Sequence, residues 1–364
     1  MNELEEARKI INEVDKEMAQ LFEKRMCAAQ LVAKYKKEHG LSILDSKREK
    51  EIINNNSNYI EDNEIKEYYV KFLEYNMALS RNYQSRLNNG MKVAYSGVEG
   101  AFAYIAAKRM FPCANLIAYP NFEEAYKSVE DGECDSCVLP IENSFAGDVG
   151  TVMDLIFSGS LYINQVTDLA VEHNLLANEG ATLDTIKQVV SHPQALSQCN
   201  NFITKHGYEE KPYTNTALSA KLVKESGSLE IAAIASDETA RIFGLKILES
   251  KINESRNNTT RFGAFSRVRN DNTSKKRRMD DHFILVFTVK NEAGALAKTL
   301  DIIGAHGFNM RNLRSRPMKE LMWSYYFYIE ADGNINTQDG KDMLRELSAT
   351  CDKLKLAGTY NTDN

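Results

Sequence analysis

Three polar clusters in the middle of the chain carry residue types that could do chemistry together. Pro140-Ile141-Glu142-Asn143-Ser144, with Gly147 close behind, follows directly on an apolar run. Ser191-His192-Pro193-Gln194-Ala195-Leu196 repeats the arrangement, with Gln198 and Cys199 in the next turn of the same expected helix. Asn258-Thr259-Thr260-Arg261-Phe262 precedes a third apolar run. Ligands of α/β proteins collect at the ends of strands, so a carboxylate, amides, hydroxyls and a guanidinium are expected around one cleft. A serine hydrolase fits poorly. The G-x-S-x-G elbow is absent, and His192 directly follows Ser191, a poor geometry for a base. The stretch from Val93 to Phe102 reads as a strand, a glycine turn and a helix start, able to hold an anion on backbone amides. Its glycine spacing does not match a dinucleotide site.

A second set of groups lies nearer the N-terminus. Arg25 occupies a position where Leu or Ile would be expected, and a buried guanidinium is costly unless paired. Lys36 follows at a spacing that puts it about 20° from the same helix face. Arg8 is about 100° around the wheel from Arg25, better placed for the pocket of a partner helix. Arg48 opens a second helix, and Ser80 and Gln84, at i and i+4, share a face of a third. Inward cations without obvious acidic partners suit a small dianion; the alternative is surface cations with snorkelling stems.

The elements that must position these groups fall into three regions. Residues 1–90 have no proline and only two glycines, Gly40 and Gly90, a helical composition. Leu4, Ile11, Met18, Arg25 and Val32 step by seven, and Ala7, Val14, Leu21, Ala28 and Tyr35 step by seven beside them. This heptad-like stripe predicts one helix to about Lys37, ~50 Å long, needing a partner chain or a long antiparallel return. His39-Gly40 ends it. Ser46-Lys47-Arg48-Glu49 reads as a capping box for the second helix, and a third runs over about 63–87. Residues 91–270 alternate strand-like runs (92–95, 136–140, 188–191, 230–235) with helical patterns (101–110, 122–131, 195–206, 215–225), which indicates an α/β domain. Residues 270–280 form a charged linker containing Lys275-Lys276-Arg277-Arg278, read as a solvated hinge rather than a nucleic-acid patch. Residues 281–364 read β (283–289), α (295–305), β (309–316), β (322–329), α (339–350), β (353–359), a ferredoxin-like βαββαβ unit.

Composition bounds the function. The chain has 364 residues and a formal charge of −6, without the basic excess of a general nucleic-acid binder. Its 43% hydrophobic and 26% charged residues are an ordinary globular mix. No run approaches the ~18 apolar residues of a membrane span. The acidic start lacks the pattern of a signal peptide, so a soluble, cytoplasmic protein is expected. Six cysteines do not make a disulfide framework in a chain of this length. Cys134 and Cys137 form one C-x-x-C that leads straight into an apolar strand, so a core role is expected rather than a redox pair or half a zinc site.

Arg8, Arg25, Lys36, Asp45-Ser46-Lys47-Arg48-Glu49 and Ser80 with Gln84 resemble the active-site pattern of the all-helical chorismate mutase family. "AYSGVEGAF", "LPIENS", "SHPQAL" and "TTRF" resemble prephenate dehydratase motifs, in that family's order. The family fold is two α/β lobes with the site in the cleft, similar to bacterial ligand-binding proteins. The last region resembles an ACT domain. Gly294-Ala295-Leu296 matches its glycine-alanine-leucine loop, and Arg314-Ser315-Arg316-Pro317 its glutamate-serine-arginine-proline motif with Arg314 in place of glutamate. Ala293 stands where proline is frequent. All three occur in the order of the bifunctional P-protein family, so the implied domains are 1–90, 91–270 and 281–364.

The resemblance implies roles. Arg25, and Arg8 from a partner chain, would bind chorismate carboxylates, with Ser80 in the same pocket. Lys36 and Gln84 would donate to the ether oxygen. Glu49 would hold a substrate hydroxyl, with Asp45 and Arg48 ordering that corner. Glu142, Asn143, Ser191, Gln198, Thr260 and Arg261 would line the prephenate cleft. Thr260 would be catalytic, Arg261 would add positive charge near an anion, and Glu142 would serve as proton source if burial raises its pKa. L-Phenylalanine is the expected effector, held by the loop Asn291 to Leu296, where Gly294 permits close approach and Ala295 opens a helix, and closed by a partner's Ser315 region. Arg314 is expected to face solvent. A homodimer or higher homo-oligomer is implied, with no cofactor, metal, nucleic acid or membrane. A non-catalytic amino-acid sensor would have no need of Thr260, Arg25 and Lys36; an enzyme with one dead site is the other rival.

Overall fold

The computed structural model describes residues 2–255, 257–270, 281–318 and 324–361. The basic run Lys275-Lys276-Arg277-Arg278 and the start of the strand expected at 322 lie outside them. The chain forms two compact units, Met1–Lys92 and Val93–Asn364. Among the described residues no helix is long and apolar enough to cross a membrane.

The first unit is helical: α1 (Glu3–Glu38), α2 (Ser46–Asn56), a short 3-10 turn (Ser57–Tyr59) and α3 (Asn63–Asn89). Asn2 caps α1 in a capping box with Glu5, and Glu3, Glu5 and Glu6 lie at the positive end of its dipole. α2 departs from the expected cap. The Asp45 side chain accepts from the Arg48 amide, so Asp45, not Ser46, is the N-cap. α3 returns against the C-terminal half of α1, where Asn88 Nδ2 donates to Ala33 O at 3.1 Å and Lys37 Nζ to Asn88 O at 3.2 Å. The face this buries carries Ala29 and Ala33, small enough for close approach, with Arg25 and Lys36 half-buried on it. At ~1.5 Å per residue α3 is ~40 Å long and α1 ~54 Å, so the return cannot cover all of α1. The seam residues Leu4, Ile11, Met18, Leu21 and Val32 therefore stay 44–65% exposed in one protomer.

The second unit has two α/β lobes and a C-terminal α/β segment. The first lobe comprises β1 (Lys92–Ser96), α4 (Phe102–Met110), β2 (Asn115–Tyr119), α5 (Phe122–Glu130), β3 (Ser136–Asn143), β4 (Gly147–Asp148), α6 (Gly150–Ser158) and β5 (Tyr162–Ala170). The second comprises β6 (Asn174–Ala177), β7 (Gln188–Ser191), α7 (Pro193–Gln198), α8 (Asn200–His206), β8 (Glu209–Pro212), α9 (Thr216–Ser226), β9 (Ile231–Ala235), α10 (Asp237–Phe243) and β10 (Lys246–Glu249). The chain then returns to the first lobe as β11 (Thr259–Ser266). The single helix expected over 195–206 is two, because Cys199 leaves helical geometry at φ −117° and ψ 13°. The last segment is β12 (Asp281–Thr288), α11 (Ala295–Ala305), β13 (Asn309–Pro317), β14 (Tyr325–Asp332), α12 (Gln338–Thr350) and β15 (Lys353–Asn361).

Two sheets result. One runs β13-β14-β12-β15-β5-β11-β3-β1-β2 with β4 on β3, and the other β10-β6-β9-β7-β8. The C-terminal strands thus extend the first lobe's sheet, through the parallel pair Gly358 and Ile163. They also share its core, where Leu139, Ile141 and Phe265 pack with Ile284, Val286, Tyr326 and Tyr328. Cys134 and Cys137 are 1% and 0% exposed within that core, and burial pushes the Cys137 thiol well up, as an unreactive core residue requires.

A side chain at Gly358 would collide with the Ile163 carbonyl oxygen, a backbone atom that cannot step aside. Gly358→Val should therefore cost about 1–3 kcal/mol, read as a lowered thermal midpoint by circular dichroism. An unchanged midpoint would show that the β15–β5 join contributes nothing to stability.

Candidate active sites

A cavity of about 340 Å³ lies between the two lobes of the second unit. Its lining combines Phe102, Phe122, Val149 and Phe262 with Asn143, His173, Gln198, Asn258 and Thr260. The polar members form one hydrogen-bonded chain. Asn143 Nδ2 donates to Asn258 Oδ1 at 2.8 Å and to Thr260 Oγ1 at 2.9 Å. Gln198 Oε1 accepts from Asn258 Nδ2 and from His173 Nε2, both at 3.0 Å.

The direction of these bonds is fixed by the backbone. Asn143 Oδ1 accepts from the amides of Phe145 at 3.0 Å and Ala146 at 2.8 Å, so the nitrogen of its amide must be the end that meets Thr260. Thr260 Oγ1 is then an acceptor toward Asn143, and its own hydrogen is left to donate to a ligand. Because Gln198 Oε1 can only accept, His173 carries its proton on Nε2. His173 is 2% exposed, and burial pushes its pKa down, so the ring is neutral and its Nδ1, which has no partner, is an acceptor at the cavity wall.

Among the described lining residues there is no lysine or arginine. The positive ends available are backbone amides. Ala101 and Val149, the N-caps of α4 and α6, make no side-chain cap bond and both line the cavity. Gly97 and Gly100, at φ +101° and +88°, provide the expected turn that brings α4 in end-on. Uncapped helix starts facing a cavity are sites for carboxylates.

Asn143, Gln198 and Thr260 meet at the cavity as expected, whereas three other residues expected there do not line it. Ser191 is fully buried and its hydroxyl donates to Ile234 O at 2.6 Å. Arg261 pairs with Asp168 at 3.0 Å and with Glu330 of β14 at 3.3 Å. Glu142 pairs with Arg314 of β13 at 2.6 Å. Arg314 is not solvent-facing either: its side chain is 12% exposed and also pairs with Asp148. Strand alternation accounts for the misplacement. β11 and β3 pair Thr260 with Asn143 and Arg261 with Glu142, so when the first pair faces the cavity the second faces away. That signal was present in the sequence; His173 and Asp148, by contrast, lie in no recognised motif.

In the helical unit, Gln84 and Ser80 are buried, with Gln84 Nε2 on Ser80 Oγ at 3.3 Å and Gln84 Oε1 without a partner. Arg25 Nη1 is likewise buried and unpartnered, and burial pushes the Arg25 pKa down. Lys36 Nζ donates to Ile43 O at 2.6 Å, leaving two hydrogens for a ligand. Glu49 is tied to Arg81 of α3, a residue the sequence reading missed. Arg48 pairs with Glu51 at the surface at 3.3 Å, and Arg8 is exposed on the uncovered half of α1. In the C-terminal segment Gly294 is the N-cap of α11 at φ +85°, with no side-chain cap bond, beside exposed Asn291 and the half-buried Ala295 and Leu296. Ser315 is exposed, on the opposite face of β13 from Arg314.

Residues 7–85 match the type II chorismate mutase family and residues 93–270 the prephenate dehydratase family. Arogenate dehydratase/prephenate dehydratase 2 of Arabidopsis thaliana is 30% identical, over 89% of this chain and 87% of its own. A bifunctional chorismate mutase/prephenate dehydratase of Buchnera aphidicola subsp. Schizaphis graminum is 29% identical, over 100% of this chain and 97% of its own. The solved structure of prephenate dehydratase from Arthrobacter aurescens in complex with L-Phe superposes with a TM-score of 0.67 at 28% identity, over 74% of this chain and 90% of that one. Two families matched in sequence order, and a two-activity relative aligned from end to end, mean that the chain belongs to the bifunctional chorismate mutase/prephenate dehydratase family.

Proposed function

We propose that this bifunctional enzyme, which rearranges chorismate to prephenate and converts prephenate to phenylpyruvate, uses the residues named above as follows. In the mutase, the rearrangement is unimolecular, so catalysis consists of holding the compact conformer and stabilising the ether oxygen as its bond breaks. Lys36 and Gln84 donate to that oxygen. Arg25 and Ser80 take a carboxylate side of the substrate, and Glu49, held by Arg81, takes a hydroxyl. Asp45 and Arg48 order the start of α2. Arg8 serves the pocket of a second protomer whose α1 covers the exposed stripe, which makes the working form a dimer.

In the dehydratase, prephenate loses carbon dioxide and hydroxide together, driven by aromatisation. Thr260 donates its free hydrogen to the departing oxygen, and the proton that completes water comes from solvent or the cavity network. Asn143 aims Thr260; Asn258, Gln198 and neutral His173 hold Asn143. The uncapped starts of α4 and α6 take the carboxylates. The observation that carries this reading is the Asn143–Thr260 bond, whose direction leaves the threonine hydrogen pointing to a ligand. Neither Glu142 nor Arg261 takes part in the chemistry. The C-terminal segment acts as an ACT domain of ferredoxin-like fold, which its strand order supports, and binds L-phenylalanine at the loop around Gly294 with a partner's Ser315 region.

Lys36→Ala should lower chorismate turnover about a thousandfold and leave phenylpyruvate formation from supplied prephenate unchanged. Equal mutase rates in variant and parent would remove Lys36 from the site. Thr260→Ala should lower dehydratase kcat at least a hundredfold, so that chorismate-fed enzyme accumulates prephenate; near-normal turnover would end the dehydratase assignment. Millimolar L-phenylalanine should inhibit the dehydratase, and full activity at that concentration would mean that the C-terminal segment does not act as a sensor.

A further inference from the structure

Asp148 is the one acidic residue among those lining the cavity that must accept a dianion, and no lysine or arginine lies there among the described residues. Its carboxylate is turned, with that of Glu142, to the face away from Asn143, just behind the cavity wall. Asp148 lies directly across the β3–β4 ladder from Glu142. Like charges in directly opposed strand positions repel, and this pair adjoins Asn143, the residue that aims Thr260. Arg314 resolves the conflict from β13. Its Nη2 meets Glu142 at 2.6 Å, its Nη1 meets Asp148, and its Nε meets Asn312 Oδ1 at 3.1 Å, so every nitrogen of the guanidinium is used. The Tyr328 ring lies 5.9 Å from its central carbon. A planar fork that reaches two carboxylates at once is something arginine can do and lysine cannot.

We propose that Arg314 is a positioning and charge-balancing residue of the dehydratase: it keeps the charge of Asp148 from repelling the dianionic substrate, while holding the β3–β4 hairpin behind Asn143. The C-terminal segment thereby sets the electrostatics of a cleft it does not line. This rests on the assignment of the cleft around Asn143 and Thr260 as the dehydratase site, and the Thr260→Ala result tests that assignment separately.

The test is steady-state kinetics of the full-length protein on supplied prephenate, with mutase turnover of chorismate as an internal control. Arg314→Ala should raise KM for prephenate about tenfold or more, with a smaller change in kcat, an unchanged mutase rate, and a KM defect that shrinks as salt is added. Arg314→Lys should recover part of the loss. Arg314→Ala combined with Asp148→Asn should return KM to within about threefold of the parent, because the offending charge is gone although the hairpin contact is not restored. A purely structural role predicts the opposite, a double variant no better than the single. Either that result or an Arg314→Ala KM within about twofold of the parent overturns the proposal. If Arg314→Ala does not fold, Arg314→Gln with and without Asp148→Asn is judged by the same KM comparison.

Discussion

The side-chain carbonyl of Asn143 is pinned by the amides of Phe145 and Ala146, and the candidate dehydratase site depends on that bond. Pinning costs Asn143 its freedom to flip, and so settles which atom faces Thr260. It requires the turn between β3 and β4 to follow immediately after the strand. β11 must meanwhile pair with β3 in the register that sets Thr260 beside Asn143. β11 arrives there only after the chain has built the whole second lobe, so the site closes late in the sequence and depends on both lobes being in place.

Motifs named three residues that share one cavity, Asn143, Gln198 and Thr260, but overcounted its lining. A motif of consecutive residues on a strand cannot all face one way. Asn143 and Thr260 face the cavity, and alternation turns Glu142 and Arg261 to the opposite face of the sheet. The adjacent charged residues bind Arg314 and Glu330 instead, an interface invisible in any single motif because its halves are separated by long stretches of chain. Ser191 illustrates a different limit. Its hydroxyl satisfies the Ile234 carbonyl between neighbouring strands β7 and β9, a partner that only topology reveals. Local signals fared better: the βαββαβ order of the last segment, the strand at Gln188–Ser191 and the turn at Gly97 and Gly100 all follow from spacing and backbone preference.

The helical unit shows how periodicity can be right about a surface and silent about its partner. The heptad stripe of α1 is real, yet the protomer buries a neighbouring face, Ala29 and Ala33, because small residues let α3 approach. Two different surfaces thus share one helix. One half of α1 carries half-buried Arg25 and Lys36 against α3, while the other presents apolar residues and Arg8 to the outside.

The join between β15 and β5 has a consequence for how the chain can be cut. Without β12 to β15, β5 would become an edge strand, its open hydrogen-bonding groups a template for other chains. The aromatic and aliphatic side chains that now pack with Ile284, Val286, Tyr326 and Tyr328 would be bare on the same lobe. Sequence homology draws the dehydratase as a module ending at residue 270. Physically that module lacks a wall, and the last segment supplies it, so the dehydratase lobe and the last segment form one folding unit rather than two exchangeable parts.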